Sequence, residues 1–240
     1  MICPPRPDLA GALGYPLGMA SWSERLVTIP PGRHTFSSDF VSAHQRERIF
    51  AATAELVAKR GYPGTSIDLI TKTARVALST FYENFETKED CFLAAFDDAV
   101  GEARRHLSAT IDQEQPWIDQ VTVGLDALLG LILANPARAR MCLVEAPGGG
   151  PVLLDRYESA LDGLVPILRG GRQLAGDKKL PERTEEAIIG GIVWVLQRNI
   201  VRGGFDPSAL AAEMLQVILR PYLGSSEAKR GGEAAQLALP

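Results

Sequence analysis

The stretch between residues 65 and 88 constrains this chain more than any other. Two short segments, 65–74 and 77–84, meet at the break Ala74-Arg75-Val76, and an aromatic pair, Phe81 and Phe85, follows closely. Ile70, Ala74, Val76 and Phe81 are the apolar positions of the unit. Their spacing predicts two helices crossing steeply around a very small core, the arrangement of a helix-turn-helix. Thr65-Ser66-Ile67-Asp68 supplies a candidate N-terminal capping box for the first of them.

The rest of the chain keeps the helical period. Ser42-Ala43-His44-Gln45 fits a capping box, and Ile49, Ala52, Leu56 and Val57 recur behind it until Gly61. A long helix is predicted to open at Thr87-Lys88-Glu89-Asp90 and to run through Cys91, Phe92, Ala95, Phe96 and Ala99 towards Ile111. Further helical segments are read at 117–134, at 135–145, at 152–174 with a kink at Pro166, at 181–203 and at 206–223. No alternation of period two and no internal repeat occurs, so the fold class is all-α. Residues 1–38 carry Pro4, Pro5, Pro7, Pro16, Pro30 and Pro31 without a core pattern and are expected to be a flexible arm; residues 225–240 are expected to be a flexible tail.

Composition excludes several function classes. With 46% hydrophobic and 22% charged residues, the 240-residue chain has an ordinary globular balance. Cys3, Cys91 and Cys142 form no CxxC pair and no zinc-spaced cluster with histidine, so a reduced protein without a structural metal is expected. His34, His44 and His106 belong to no triad, and no glycine-rich phosphate loop follows a strand. No catalytic residue, cofactor or metal site is therefore expected, and the chain reads as a non-enzyme. The apolar run 188–196 is shorter than the ~20 residues a membrane span needs, so no membrane partner is expected. Residues 9–20 contain Pro16 and lack a basic start, so no export signal is read and a cytoplasmic location is expected. The net charge is −4, yet residues 33–90 hold eight Lys/Arg and eight Asp/Glu. Binding to nucleic acid must then come from a local arrangement of charge rather than bulk attraction.

The run Thr80-Phe81-Tyr82-Glu83-Asn84-Phe85-Glu86-Thr87-Lys88-Glu89, with Gly61-Tyr62 and Thr65-Ser66 before it, resembles the TetR family of bacterial transcriptional regulators over residues 48–96. The resemblance implies a three-helix N-terminal DNA-binding domain, a C-terminal helical domain with a ligand cavity, and homodimerisation through the last two main helices. It places the boundaries at 39–90 for the DNA-binding domain and 91–224 for the ligand-binding and dimerisation domain. The implied partners are a palindromic double-stranded operator, a second copy of the chain and a small, largely apolar effector, with repression the family's commoner mode. Three positions depart from the family pattern. Arg75 replaces the usual turn glycine, Ala77 the usual serine that opens the recognition helix, and Thr71 the usual small alanine between the two helices. Arg75 must then adopt a left-handed conformation at a cost of about 1–2 kcal/mol.

The candidate DNA contacts are Thr65, Ser66, Arg75, Ala77, Leu78, Ser79, Thr80, Tyr82, Asn84 and Lys88. Thr65 and Ser66 at a helix start can offer hydroxyl and amide donors to a phosphate, or serve only as caps. Arg75 can add a phosphate contact beside the turn. Ser79 and Thr80 can hydrogen-bond, while Ala77 and Leu78 offer apolar contact, for instance to thymine methyls. Tyr82 carries a hydroxyl beyond its ring that suits a phosphate, or packs as a half-buried aromatic. Asn84 is read as a backbone contact. Lys88 sits at the positive end of a helix dipole, which a nearby phosphate would explain, or it pairs with Glu89 or Asp90. Arg33 and His34 in the arm are placed to enter the minor groove.

In the sensor half, Arg104, His106, Trp117, Glu145, Tyr157, Trp194 and Asn199 are the candidate ligand contacts, set among apolar helical stripes. Gly190-Gly191 within a helix suggests close backbone approach. The expected mechanism has two states, in which ligand moves the Lys88 helix as a lever and changes the separation of two reading heads. The alternative reading is a helical interaction module whose helix-turn-helix no longer binds an operator.

Overall fold

The computed structural model describes residues 38–225 and residue 228. The expected arm at 1–37, with Arg33 and His34, and nearly all of the expected tail lie outside the described residues. Helix α1, Ser38–Arg60, turns Ile49, Ala52, Leu56 and Val57 into the core at helical spacing. It starts a turn earlier than the Ser42–Gln45 signature predicts, which makes Ser42 an interior position; a capping motif cannot exclude helix before it. Helix α2, Ile67–Ala74, is capped by Ser66, whose hydroxyl accepts from the Leu69 N–H at 3.3 Å. Helix α3, Leu78–Asn84, starts at Ala77 with no side-chain cap. Helix α4, Lys88–Thr110, opens on a reciprocal capping box between Thr87 and Asp90.

Helix α5, Trp117–Ala134, and helix α6, Pro136–Arg140, follow. The expected single segment 135–145 is in fact α6 running into a π-helical turn, Met141–Glu145, and a 3₁₀ turn, Ala146–Gly148. Helix α7, Pro151–Asp162, and helix α8, Val165–Arg169, replace the expected kinked helix. Pro166 sits at the start of α8, where its missing N–H costs nothing, so the chain breaks at Gly163-Leu164 instead of bending at the proline. After a 3₁₀ segment, Gly170–Ala175, helix α9, Thr184–Arg202, begins three residues later than Pro181 suggested. Pro181 contributes its carbonyl, which accepts from the Thr184 hydroxyl at 2.7 Å. Helix α10, Pro207–Leu223, is capped by Asp206, which accepts from two backbone N–H groups.

The apolar core is continuous from Phe81 and Phe92 to Leu219 and Tyr222. α1, α2 and α4 pack together, α6 and the π turn lie against α1, and α5 lies between α4 and α10. The helix α4 runs unbroken across the expected boundary at residues 90 and 91. One helix among the described residues, α5, is long and apolar enough to cross a membrane by length and composition, which revises the expectation that none is. On it Val121, Leu125, Leu129 and Ile132 are buried, Asp119 is exposed and the other residues are half-buried.

A polar knot fixes the far end. Glu185 is 1% exposed and receives the Arg172 guanidinium at 2.8 Å through both Nε and Nη2, with the Tyr222 hydroxyl at 3.2 Å. The Arg172 bonds hold the Glu185 carboxyl below its ordinary range, and burial pushes the Tyr222 hydroxyl up. Beside this knot, Trp117 donates its indole N–H to the Ile167 carbonyl at 2.8 Å and lies flat against Gly171. A Cβ on Gly171 would fall 2.5 Å from that ring, so only glycine fits.

Candidate nucleic-acid interface and sensor cavity

The helix-turn-helix is built on aromatic packing. Phe81 is fully buried, with Phe85 at 5.5 Å between ring centroids and Phe50 a further 5.9 Å beyond Phe85. The turn is held by Arg75, whose φ of 54° and ψ of 46° are left-handed, as its position in place of a glycine requires. From α1, Arg48 Nη2 donates to the Arg75 carbonyl at 2.8 Å and clamps this strained residue. Nothing in the local spacing pointed to Arg48, because the contact spans 27 residues. The Thr71 hydroxyl donates to the Asp68 carbonyl, so its polarity is satisfied within the helix.

Burying Phe81 turns the other side of α3 outward. Ala77, Leu78, Ser79 and Tyr82 are exposed there, Tyr82 by 55%, and Arg75 is exposed beside them. Ser66 is also exposed, at the start of α2. The structure thus brings six candidate contacts to accessible positions around the turn.

Four others are placed differently. Thr65 is 2% exposed, its hydroxyl donates to the Gly61 carbonyl at 3.0 Å and its N–H to the Tyr62 carbonyl. Both donors are used in closing the end of α1, and neither is left for a phosphate. Thr80 is buried behind α3, on the Phe81 side. Asn84 donates its amide to the Thr80 carbonyl at 2.8 Å, which stitches the last turn of α3. Lys88 donates to the carbonyls of Tyr62 and Thr65, each at 3.0 Å, and its ammonium lies 4.1 Å from the Tyr62 ring centre. Those carbonyls and that ring explain a cation at the start of α4 without a phosphate, and it pairs with neither Glu89 nor Asp90.

The C-terminal half holds a cavity of about 270 Å³ that opens to the surface. Its walls come from α4 to α10, and the lining is overwhelmingly aliphatic, for example Leu125, Leu128, Ile132, Leu161 and Ile192. Among the candidate ligand contacts, Arg104 and Tyr157 line it. The other five do not. Trp117 is engaged with Ile167 and Gly171, and Glu145 forms an ion pair with Arg140 at 3.4 Å. Asn199 donates to the Val195 carbonyl along its own helix. Trp194 is 58% exposed on α9 under the Arg198 guanidinium, and the His106 side chain is not part of the wall. Gly190 and Gly191 share the outer face of α9 with Trp194, and nothing lies within 4 Å of a Cβ added to either, so the expected close approach is not made within the chain.

Polar residues that the sequence did not single out tie together the helices around the cavity. Arg138 is buried and donates to Asp98 at 3.1 Å and to Glu102 at 2.8 Å, tying α6 to α4. Gln197 on α9 donates to the Leu143 carbonyl of the π turn at 2.6 Å and reaches the Tyr157 hydroxyl at 3.4 Å. Burial pushes the thiol of Cys142 up to about 12 and that of Cys91 to about 11, so both remain neutral thiols. Among the described residues, no group of three or more His, Cys, Asp or Glu gathers to hold a metal.

This geometry defines a class of fold: an all-α chain with an N-terminal helix-turn-helix and a C-terminal helical half around an apolar cavity. Residues 49–95 match the family model for bacterial regulatory proteins of the tetR family. The match takes in the helix-turn-helix and the first turns of α4. It is 37% identical over 62 residues to an uncharacterized HTH-type transcriptional regulator of Lactococcus lactis subsp. lactis, a match covering 26% of this chain and 32% of that protein. It is 24% identical over 123 residues to the fatty acid metabolism regulator protein of Bacillus subtilis (strain 168), covering 51% of this chain and 63% of that protein. The matched stretches thus span less than two thirds of either relative. The fold is similar to that of FadR from Bacillus subtilis, solved in complex with stearoyl-CoA, with a TM-score of 0.62 and 22% identity over 74% of this chain and 97% of that one.

Proposed function

We propose that the protein is a ligand-responsive, non-enzymatic DNA-binding repressor, released from a palindromic operator by a small molecule with an apolar body. The observation that carries this reading is the shared helix α4. It begins at Lys88, bonded to the turn that precedes α2, and ends as one wall of the sensor cavity. An occupant of the cavity that favours one position of α4 thereby acts on the reading head. In this reading residues 39–90 are the DNA-binding domain, residues 91–224 bind ligand and dimerise, and the site of action is cytoplasmic.

Ser66, Arg75, Ala77, Leu78, Ser79 and Tyr82 face the DNA, Arg75 and Tyr82 on phosphates and the start of α3 on base edges. Two copies join through α9 and α10, whose outer faces carry the exposed Trp194, Val201 and Val217. The dimer sets two reading heads about one helical turn apart on the duplex. An acyl-bearing effector suits the aliphatic walls, and the named ligand of the solved FadR and the name of the Bacillus subtilis relative support that class.

The test is a selection of genomic DNA fragments by the purified protein, repeated with Tyr82→Ala. A palindromic site lost in the variant is expected. No enriched site at low salt would leave the interaction-module reading in its place.

A further inference from the structure

The cavity-facing side of α4 is one stripe: Phe96, Val100, Ala103, Leu107 and Ile111. Arg104 stands inside that stripe, four residues after Val100 and three before Leu107. A guanidinium among aliphatic wall residues has no packing role that a leucine would not fill better. Arg104 is exposed, so it stands at the mouth rather than the floor. It makes no ion pair and no side-chain hydrogen bond with any described residue.

The other cation of the wall is committed. Arg138 is buried and bonded to both Asp98 and Glu102, one positive charge against two carboxylates. An anion brought to that part of the wall would be stripped of water and would meet surplus negative charge. The remaining lining offers mainly side chains without charge. The lining therefore offers an anion one available cation, Arg104, while the carboxylates bonded to Arg138 disfavour an anion beside it.

We propose that the effector is an amphiphile whose neutral apolar body fills the cavity while its anionic head stays at the mouth on Arg104. This rests on the reading of the cavity as the effector site. Carboxylate, phosphate and sulfate heads share the required chemistry. Because Arg104 is carried by α4, capture of the head acts on the same helix that contacts the reading head through Lys88.

The experiment titrates the full chain with three probes that share one tail: decyl phosphate, 1-decanol and decyltrimethylammonium. Binding is read by calorimetry below their micellar concentrations. Wild type is expected to bind decyl phosphate roughly fivefold tighter than decanol, as a partly exposed charge pair allows, with the ammonium weakest. In Arg104→Gln the ratio of phosphate to decanol affinity falls to about one, and Arg104→Lys restores part of it. The control Arg105→Gln, next door but outside the lining, keeps the wild-type ratio. Equal binding of all three heads by wild type, or a preference that survives in Arg104→Gln, would overturn the assignment. Tightest binding of the ammonium would overturn it too and place the head on Glu102. Failure of every probe, decanol included, would remove the cavity reading itself and not only the role of Arg104.

Discussion

The helix-turn-helix closes completely around its aromatic residues, whereas the sensor half closes around a space. In the first, Phe50, Phe81 and Phe85 sit within 6 Å of one another in sequence of contact, and polar groups at every turn have a partner: Ser66 with Leu69, Arg48 with Arg75, Thr87 with Asp90. In the second, largely aliphatic walls leave about 270 Å³ unfilled. Protein interiors pack densely by default, and an apolar void forgoes contacts that would otherwise stabilise the fold. A reading head must present fixed atoms to a duplex, so its geometry is specified by local chemistry. A sensor must accept a guest, so its walls are interchangeable aliphatics and its shape is set by helix packing.

The contrast can be broken most severely at Phe81. Phe81→Ala is expected to cost about 3–5 kcal/mol of unfolding free energy, because the site is fully buried and ringed by other aromatics. Denaturant unfolding measures this; a loss below about 1 kcal/mol would mean that the small core can collapse around the gap. Next in size, Tyr82→Ala removes an exposed hydroxyl and is expected to weaken operator binding through the loss of about 1.5–3 kcal/mol, with folding stability nearly unchanged. A melting temperature that fell along with affinity would show Tyr82 to be packing instead.

These two positions also mark what the sequence discloses. Phe81 and Tyr82 are neighbours, and helical period alone separates the inward ring from the outward one, so this much was legible without coordinates. The left-handed Arg75 and the uncapped Ala77 were legible for the same reason, since each is a local property of a known kind of turn. Thr65 and Lys88 were not, because their partners are backbone carbonyls at and just beyond the end of α1, and Thr80 was not, because its burial depends on how α3 packs. The cavity was legible least. Trp117 and Trp194 look equally suited to line it, yet one is pinned against Gly171 and the other faces outward from α9. Arg138 and Gln197 act across 36 and 54 residues, and no spacing rule reaches that far.

The knot at the far end gives a smaller, pH-dependent effect. The Glu185 carboxyl is held low in the folded state by Arg172, so its stabilising contribution is complete above the ordinary carboxylate range. It is lost as pH falls through the lowered folded value. The melting temperature of wild type is therefore expected to drop more steeply on acidification than that of Glu185→Gln, and parallel slopes would contradict the pairing. The smallest expected change is at the turn. Arg75→Gly relieves a left-handed residue while keeping the carbonyl that Arg48 binds, and it is expected to stabilise the fold by about 1 kcal/mol. A lower melting temperature would mean that the Arg75 side chain stabilises the turn by more than its strain costs.

On the proposed function, the space in the C-terminal half and the surface of the helix-turn-helix are linked through α4. Operator affinity measured with and without saturating decyl phosphate, in wild type and in Ala103→Phe, tests it directly. Ala103 faces the cavity from α4, and a phenyl group there occupies the space the guest needs. Decyl phosphate is expected to weaken operator binding by wild type roughly 5–150-fold, the range of a coupling of about 1–3 kcal/mol, and to leave it nearly unchanged in Ala103→Phe. A wild type that binds the probe without any change in operator affinity, or a filled variant that responds as strongly as wild type, would contradict it.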